Sequence, residues 1–120
     1  MLSQPYRFHG HSSLSYVFRK GHTVRGHHLM IRTVRNDRRQ LPRIAVIISK
    51  KVAKRAHDRN RIRRRLYEAL RLELPHITGA YDIAVMVTSR EIESEPFMRI
   101  EKEVQRLLKV ARVVAPPPQE

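Results

Sequence analysis

The sequence predicts an α/β (α+β) two-layer sandwich, with helices laid against a small central sheet in the order α-β-β-α-β-α. Three observations predict it. "RIAVIIS" at 43–49 and "DIAVMVTS" at 82–89 are apolar on both faces, the pattern of buried strands. Two other segments carry apolar residues at helical spacing: Ile62, Leu66, Ala69 and Leu70, then Phe97, Ile100, Val104, Leu107, Leu108 and Ala111. The length of 120 residues, 41% of them apolar, suits a single domain with a modest core.

The elements follow in order. Residues 1–11 are polar, with Pro5 and Gly10, and read as an extended arm. "SSLSYVFRK" at 12–20 reads as a short helix that Ser12 or Ser13 caps and Gly21 ends. Leu14, Val17 and Phe18 share one face of it. "TVRGHHLMIRTV" at 23–34 reads as one strand, with Leu29 and Ile31 on one side and His28, Met30 and Arg32 on the other. "RNDRRQ" at 35–40 suits a hairpin loop, and the strand at 43–49 should be central in the sheet. Pro75 and Gly79 break the chain before the third strand. Ser94 is a candidate cap for the last helix, with Pro96 in its first turn. "APPPQE" cannot continue a helix. The domain is therefore read as 1–115, with 116–120 as a Pro-rich tail.

Charge narrows the function. The chain holds 25 Lys+Arg against 11 Asp+Glu, a formal net charge of +14. Such an excess repels itself, and an anionic partner is the simplest reason to keep it. It is also concentrated. Residues 50–65 hold nine Lys/Arg and a single acid, Asp58, for a net +8. On a helix, Ile62, Leu66, Ala69 and Leu70 face the sheet, whereas Asn60, Arg64, Tyr67 and Arg71 face away. Extended backward, the apolar phase meets Arg55 and Arg59. The helix is thus expected to start near 56–58, with "KKVAKR" as a loop and Asp58 as a candidate cap. A helix start beside Arg59 and Arg61 favours phosphate. Arginine's planar fork matches two phosphate oxygens. The carbonyl of Asn60 suits a base edge or a hard cation such as Mg²⁺. Nucleic acid is expected over a membrane, because no bulky apolar face is left once Ile62, Leu66 and Leu70 are buried.

Other chemistry is set aside. Without cysteine there is no disulfide framework, thiol nucleophile or thiolate metal site. No apolar run approaches the ~20 residues that span a bilayer, and the N-terminus lacks a signal core, so a soluble, cytoplasmic protein is expected. His27 and His28, adjacent in a strand, point apart and do not chelate together. Glu91, Glu93, Glu95, Glu101 and Glu103 read as a solvated face. No catalytic residue is expected in the protein itself.

"RIAVIISKKVAKRAHDRNRIRRRLYEALR", residues 43–71, resembles the signature of the bacterial ribonuclease P protein subunit: a strand ending Ser49-Lys50-Lys51, a loop, then Arg59-Asn60-Arg61-Ile62-Arg63-Arg64 on a helix. "LSYVFRKGHTVRG" resembles the family's first helix and glycine turn. The resemblance implies a fold like the second domain of ribosomal protein S5, with a left-handed βαβ crossover against the usual rule. It implies an accessory subunit that binds ribonuclease P RNA and precursor tRNA, in a complex whose RNA removes the 5′ leader by Mg²⁺-dependent phosphodiester hydrolysis. It further implies that the metal is mainly RNA-bound, with Asn60 as a Mg²⁺ contact, and that no membrane or obligate protein partner is involved. By position, Lys50, Lys51, Arg55, Arg59, Asn60, Arg61, Arg63 and Arg64 are expected at the catalytic RNA. Leu14, Phe18, Met30, Arg32, Ala45, Ile47 and Ser49 are expected in a cleft for the leader. The family usually has a basic residue where Tyr67 stands, an aromatic residue where Arg32 stands and Phe where Leu14 stands. The rival readings are a non-enzymatic RNA binder such as a small ribosomal protein, and, more weakly, a DNA-binding regulator.

Overall fold

The structure is a computed structural model and describes residues 11–113, with side chains from Tyr16 onward. The expected arm, except His11, and the expected tail lie outside the described residues. The elements are α1 (His11–Lys20), β1 (His22–Arg25), β2 (Leu29–Arg35), β3 (Arg43–Ile47), α2 (Ala56–Glu73), β4 (Tyr81–Val87) and α3 (Phe97–Val110), with 3₁₀ turns at Leu74–His76 and Arg90–Ser94. The fold is the expected layered α/β arrangement with one strand more, in the order α-β-β-β-α-β-α.

The extra strand comes from the stretch read as one. Gly26 breaks it, and the chain folds back through His27 and His28 into the antiparallel β1–β2 pair. The Gly26 N–H donates to the Leu29 carbonyl at 2.7 Å. A Cβ at Gly26 would lie 3.0 Å from Glu103 Oε2 and 3.1 Å from Leu107 Cδ1, so a side chain there would have to push aside the tips of two α3 side chains. His27 and His28 are thus turn residues, not strand residues pointing apart. Gly21 ends α1 in a similarly tight place. Its N–H donates to the Val17 carbonyl at 2.7 Å, and a Cβ would collide with that same oxygen.

The strands run β1-β2-β4-β3 across the sheet. β2 and β4 are antiparallel, β4 and β3 parallel, and α2 is the crossover between the parallel pair. Two expectations need correction here. Residues 36–42 are not a hairpin loop, because β4 lies between β2 and β3. And β3, expected in the centre, is an edge strand. Its double-sided apolarity has another cause. Ile44 and Val46 pack into the main core, whereas Ala45 packs with Val17 of α1 and Ala84 of β4 on the other face. Helices covering both faces make a strand apolar throughout, wherever it sits in the sheet.

The main core lies on the α2/α3 side. Leu29, Ile31, Ile83 and Val85 of the sheet meet Ile62, Leu66 and Leu70 of α2 and Val104, Leu107 and Leu108 of α3, all buried. At about 25 cal/mol per Å² of apolar surface, each such side chain is worth roughly 1.5–3 kcal/mol. This packing fixes the axis of α2 and decides which of its arginines reach solvent. The caps differ from expectation. α2 starts at Ala56 as expected, but Arg55 is its cap residue and makes no side-chain capping bond. Asp58 lies inside the first turn, where its charge complements the helix dipole. α3 is preceded by Pro96, also without a side-chain cap. Ser94 instead donates to the Glu91 carbonyl at 3.0 Å and closes the 3₁₀ turn.

Candidate nucleic-acid interface

α2 divides into three faces. Ile62, Leu66, Ala69 and Leu70 are buried, as the spacing predicts. Asn60, Arg61, Arg64 and Arg71 are exposed. Tyr67 departs from its assignment: it is 9% exposed and belongs to the core. The helix packs against α3 as well as the sheet, so its buried arc is wider than a single sheet contact requires, and Tyr67 is among the residues buried in the main core. Tyr67 is therefore absent from the exposed stripe, which Asn60, Arg64 and Arg71 continue around it.

The arginines of α2 are not equivalent. Arg64 is exposed and pairs with no carboxylate among the described residues. Arg63 Nη1 donates to Asn60 Oδ1 at 2.8 Å. That bond sets the orientation of the Asn60 amide and places a guanidinium on the oxygen that a cation would need. A divalent ion would face the same repulsion from Arg61 and Arg64, so these side chains do not fit a protein-held Mg²⁺ site. Among the described residues, no group of three His, Asp or Glu has metal-holding geometry. Arg71 pairs with Glu68 one turn away. Hydrogen bonding to Arg71 holds the Glu68 carboxyl below its ordinary range, and both side chains are about half exposed to solvent.

Arg65 and Arg59 work inside the protein. Arg65 is half-buried and donates to the carbonyls of Ile92 (3.4 Å), Glu93 (3.1 Å) and Glu95. It clamps the 3₁₀ turn onto α2. Arg59 Nη1 donates to the Ala53 and Lys54 carbonyls at 2.9 and 2.8 Å. It braces the basic loop from the first turn of the helix, with Ala53 buried beneath as an apolar anchor. Sequence spacing alone put Arg59 over the apolar stripe; its hydrogen-bonding role required the fold.

Lys50, Lys51, Lys54 and Arg55 are exposed around the open start of α2. Lys51, Lys54 and Arg55 line a concavity of about 480 Å³ with Val52, Asp58 and Arg90. Arg90 arrives from the β4–α3 connection and was not expected here. Glu93 reaches it at 3.9 Å and Arg61 at 3.7 Å. The only sequence signal for Arg90 was its charge, because its nearness to Lys51 is a consequence of tertiary docking.

The second face lies across the sheet, under α1. Register places Arg25, Met30, Met86 and Ile47 in one row, and Thr23, Arg32, Ala84 and Ala45 in the next. Four of the expected cleft residues, Met30, Arg32, Ala45 and Ile47, thus share one face. Phe18 joins them from α1, with its ring centroid 5.8 Å from the Arg32 guanidinium carbon. Ser49 follows β3 as an exposed residue whose carbonyl turns the basic loop. The side chain of Leu14 lies outside the described residues. Ala45 is buried under Val17, while Met30, Met86, Ile47 and Phe18 remain half-exposed. Met86 and the β1 residues were missed, because β1 had been merged with β2 and the cross-strand neighbours of Met30 were hidden. Farther along this face Arg43 donates two bonds to buried Asp82, at 2.9 and 2.8 Å, and Asn36 a third at 2.9 Å.

The geometry is a braced, arginine-rich helix start on one side and a shallow half-apolar cleft on the other. No helix among the described residues is long and apolar enough to cross a membrane. The chain matches the Ribonuclease P family over residues 2–112. It is 31% identical to the ribonuclease P protein component of a Cyanothece species, over 95% of this chain and 98% of that one. It is also 31% identical to the component of Chloroflexus aurantiacus, over 99% of this chain and 87% of the other. The solved ribonuclease P protein of Staphylococcus aureus superposes with a TM-score of 0.81 at 26% identity, covering 92% of this chain and 98% of that one. The Thermotoga maritima protein shares the fold, with a TM-score of 0.78 at 20% identity over 87% of this chain and 96% of that one. A strand-to-helix basic motif, the cleft under α1 and these matches over nearly the whole length lead to one conclusion: the chain belongs to the ribonuclease P protein component family.

Proposed function

We propose that this chain is the protein subunit of a ribonucleoprotein whose RNA cleaves the 5′ leader from precursor tRNA. The observation that carries the reading is the division of labour between two faces. The α2 start offers Lys50, Lys51, Lys54, Arg55, Arg61 and Arg64 on a backbone braced by Arg59. It suits the phosphates of a large folded RNA, because prepaid ordering of the loop leaves less entropy to lose on binding. The cleft suits one unpaired strand. Phe18 and the methionine row give bases apolar surface, and Arg32 adds charge. Cleavage is assigned to the RNA, and the protein's residues on both faces are assigned to binding. Mg²⁺, which this family's reaction implies, is assigned to the RNA as well, since Asn60 is engaged by Arg63. The protein's contribution is to neutralise RNA phosphates and to hold the leader. The cytoplasm is the compartment this role requires.

Reconstitution tests the reading. The protein is mixed with a bacterial ribonuclease P RNA and precursor tRNA at low Mg²⁺, where the RNA alone is slow. Cleavage at the mature 5′ end should rise well above the RNA-only rate, and the protein alone should leave the substrate intact. Equal rates with and without protein would reject it.

A further inference from the structure

Arg32 is a cation that the fold partly strips of water without neutralising it. Its Nε is buried and has no hydrogen-bond acceptor among the described residues. Its Nη2 reaches the Gly21 carbonyl only at 3.5 Å, the outer limit of a hydrogen bond. Its partners across the sheet, Thr23 and Ala84, carry no charge. The acid on this face, Asp82, is committed to Arg43 and Asn36. Arginine cannot escape by deprotonation. A charged donor left short of acceptors is costly, and an incoming anion relieves that cost.

The guanidinium is also held in place. Phe18 lies 5.8 Å from its central carbon and attracts it through the ring's π-face. The half-buried side chain keeps terminal Nη groups within a ligand's reach. In-plane N–H groups arranged as a fork match a phosphodiester better than a base face.

We propose that Arg32 binds one phosphodiester of the single strand in the cleft, by charge and without reading the base. This rests on the cleft holding the leader. Its consequence is specific: leader affinity in this chain is salt-dependent at one defined phosphate.

The test uses holoenzyme reconstituted with a bacterial ribonuclease P RNA. Precursor tRNAs carry a single uncharged methylphosphonate, moved stepwise along the leader. Wild-type affinity should drop roughly tenfold at one position, and the log–log salt slope should fall by about 0.7 there. Arg32→Met should show the same loss with the natural leader and no further loss with the methylphosphonate at that position. Affinity for mature tRNA and for the catalytic RNA should not change. Arg32→Lys should keep the salt slope. Thermal melting of each variant identifies any loss that comes from unfolding, and such a variant is replaced by Arg32→Gln. Additive losses in Arg32→Met and the methylphosphonate, or an unchanged slope, would overturn the assignment; additive losses at every position would point to base stacking instead. If wild-type holoenzyme binds precursor and mature tRNA equally, the leader reading itself fails, and Arg32 with it.

Discussion

Tyr67 offers the sharpest perturbation, because sequence and structure assign it opposite sides of α2. Helical phase counted from Ile62 sends it toward RNA; the fold leaves it 9% exposed in the core. An aromatic side chain buries about 150–250 Å². Nine-tenths of that, at ~25 cal/mol per Å², gives roughly 3.4–5.6 kcal/mol. Alanine retains a little of it and leaves a cavity, so Tyr67→Ala should destabilise the protein by about 3–4 kcal/mol. Tyr67→Phe keeps the ring and should cost under about 1 kcal/mol. The assay is urea unfolding followed by far-UV circular dichroism, paired with affinity for the catalytic RNA at a temperature where both variants are folded. Stability should fall while the affinity and salt slope of the folded protein stay put. The reverse result, a loss of affinity with stability changed by less than about 1 kcal/mol, would show that Tyr67 faces the RNA and that the core assignment is mistaken.

Other outcomes follow from the same division of α2. Arg64 is exposed and pairs with no carboxylate among the described residues, so Arg64→Ala should lower the log–log salt slope of RNA binding by about 0.9 with little change in stability; an unchanged slope would move the RNA site elsewhere. Arg65 serves the fold, so Arg65→Met should cost roughly 1.5–3 kcal/mol and speed amide exchange across 90–95, with the salt slope intact. A lower slope at unchanged stability would make Arg65 an RNA contact. Glu68 is ionised against Arg71, and its lowered carboxyl means that any contribution is present above the ordinary carboxylate range and lost as pH falls through the lowered value. The pair lies at the surface and is open to solvent screening, so in 0.15 M salt Glu68→Gln should leave the melting temperature between pH 5 and 8 unchanged; a clear drop confined to the higher pH values would show a stronger coupling.

Much of this was legible in the sequence because local periodicity and contact with water coincide. Ile62, Leu66 and Leu70 repeat at helical spacing and are buried together. Met30 and Arg32 alternate with Leu29 and Ile31, and the register keeps them on opposite faces. Expectations failed where a distant element decides. β3 is apolar on both sides because α1 and α2 each cover one, which strand composition cannot distinguish from a central place. Gly26 ends β1 because α3 lies against it, a contact 77 residues away from Glu103 in the chain. Tyr67 is buried in the main core although its helical phase sets it apart from Ile62 and Leu66. Arg59 and Arg65 look like two more members of a basic run, yet their acceptors are backbone carbonyls at Ala53, Lys54 and 92–95. Charge in a sequence announces an anionic partner; which charges are available to it is settled by tertiary hydrogen bonds.

The proposed division of labour puts two RNAs on two faces of the molecule. The chain has no cysteine, so a single one can carry an iron chelate that cleaves nearby RNA backbone. Lys54→Cys places it on the basic loop, Thr23→Cys on the cleft face, and Met98→Cys on exposed α3. In holoenzyme bound to precursor tRNA, the first should cut the catalytic RNA, the second the leader, and the third neither. Leader cleavage from Lys54→Cys together with catalytic-RNA cleavage from Thr23→Cys would contradict the assignment of the two faces.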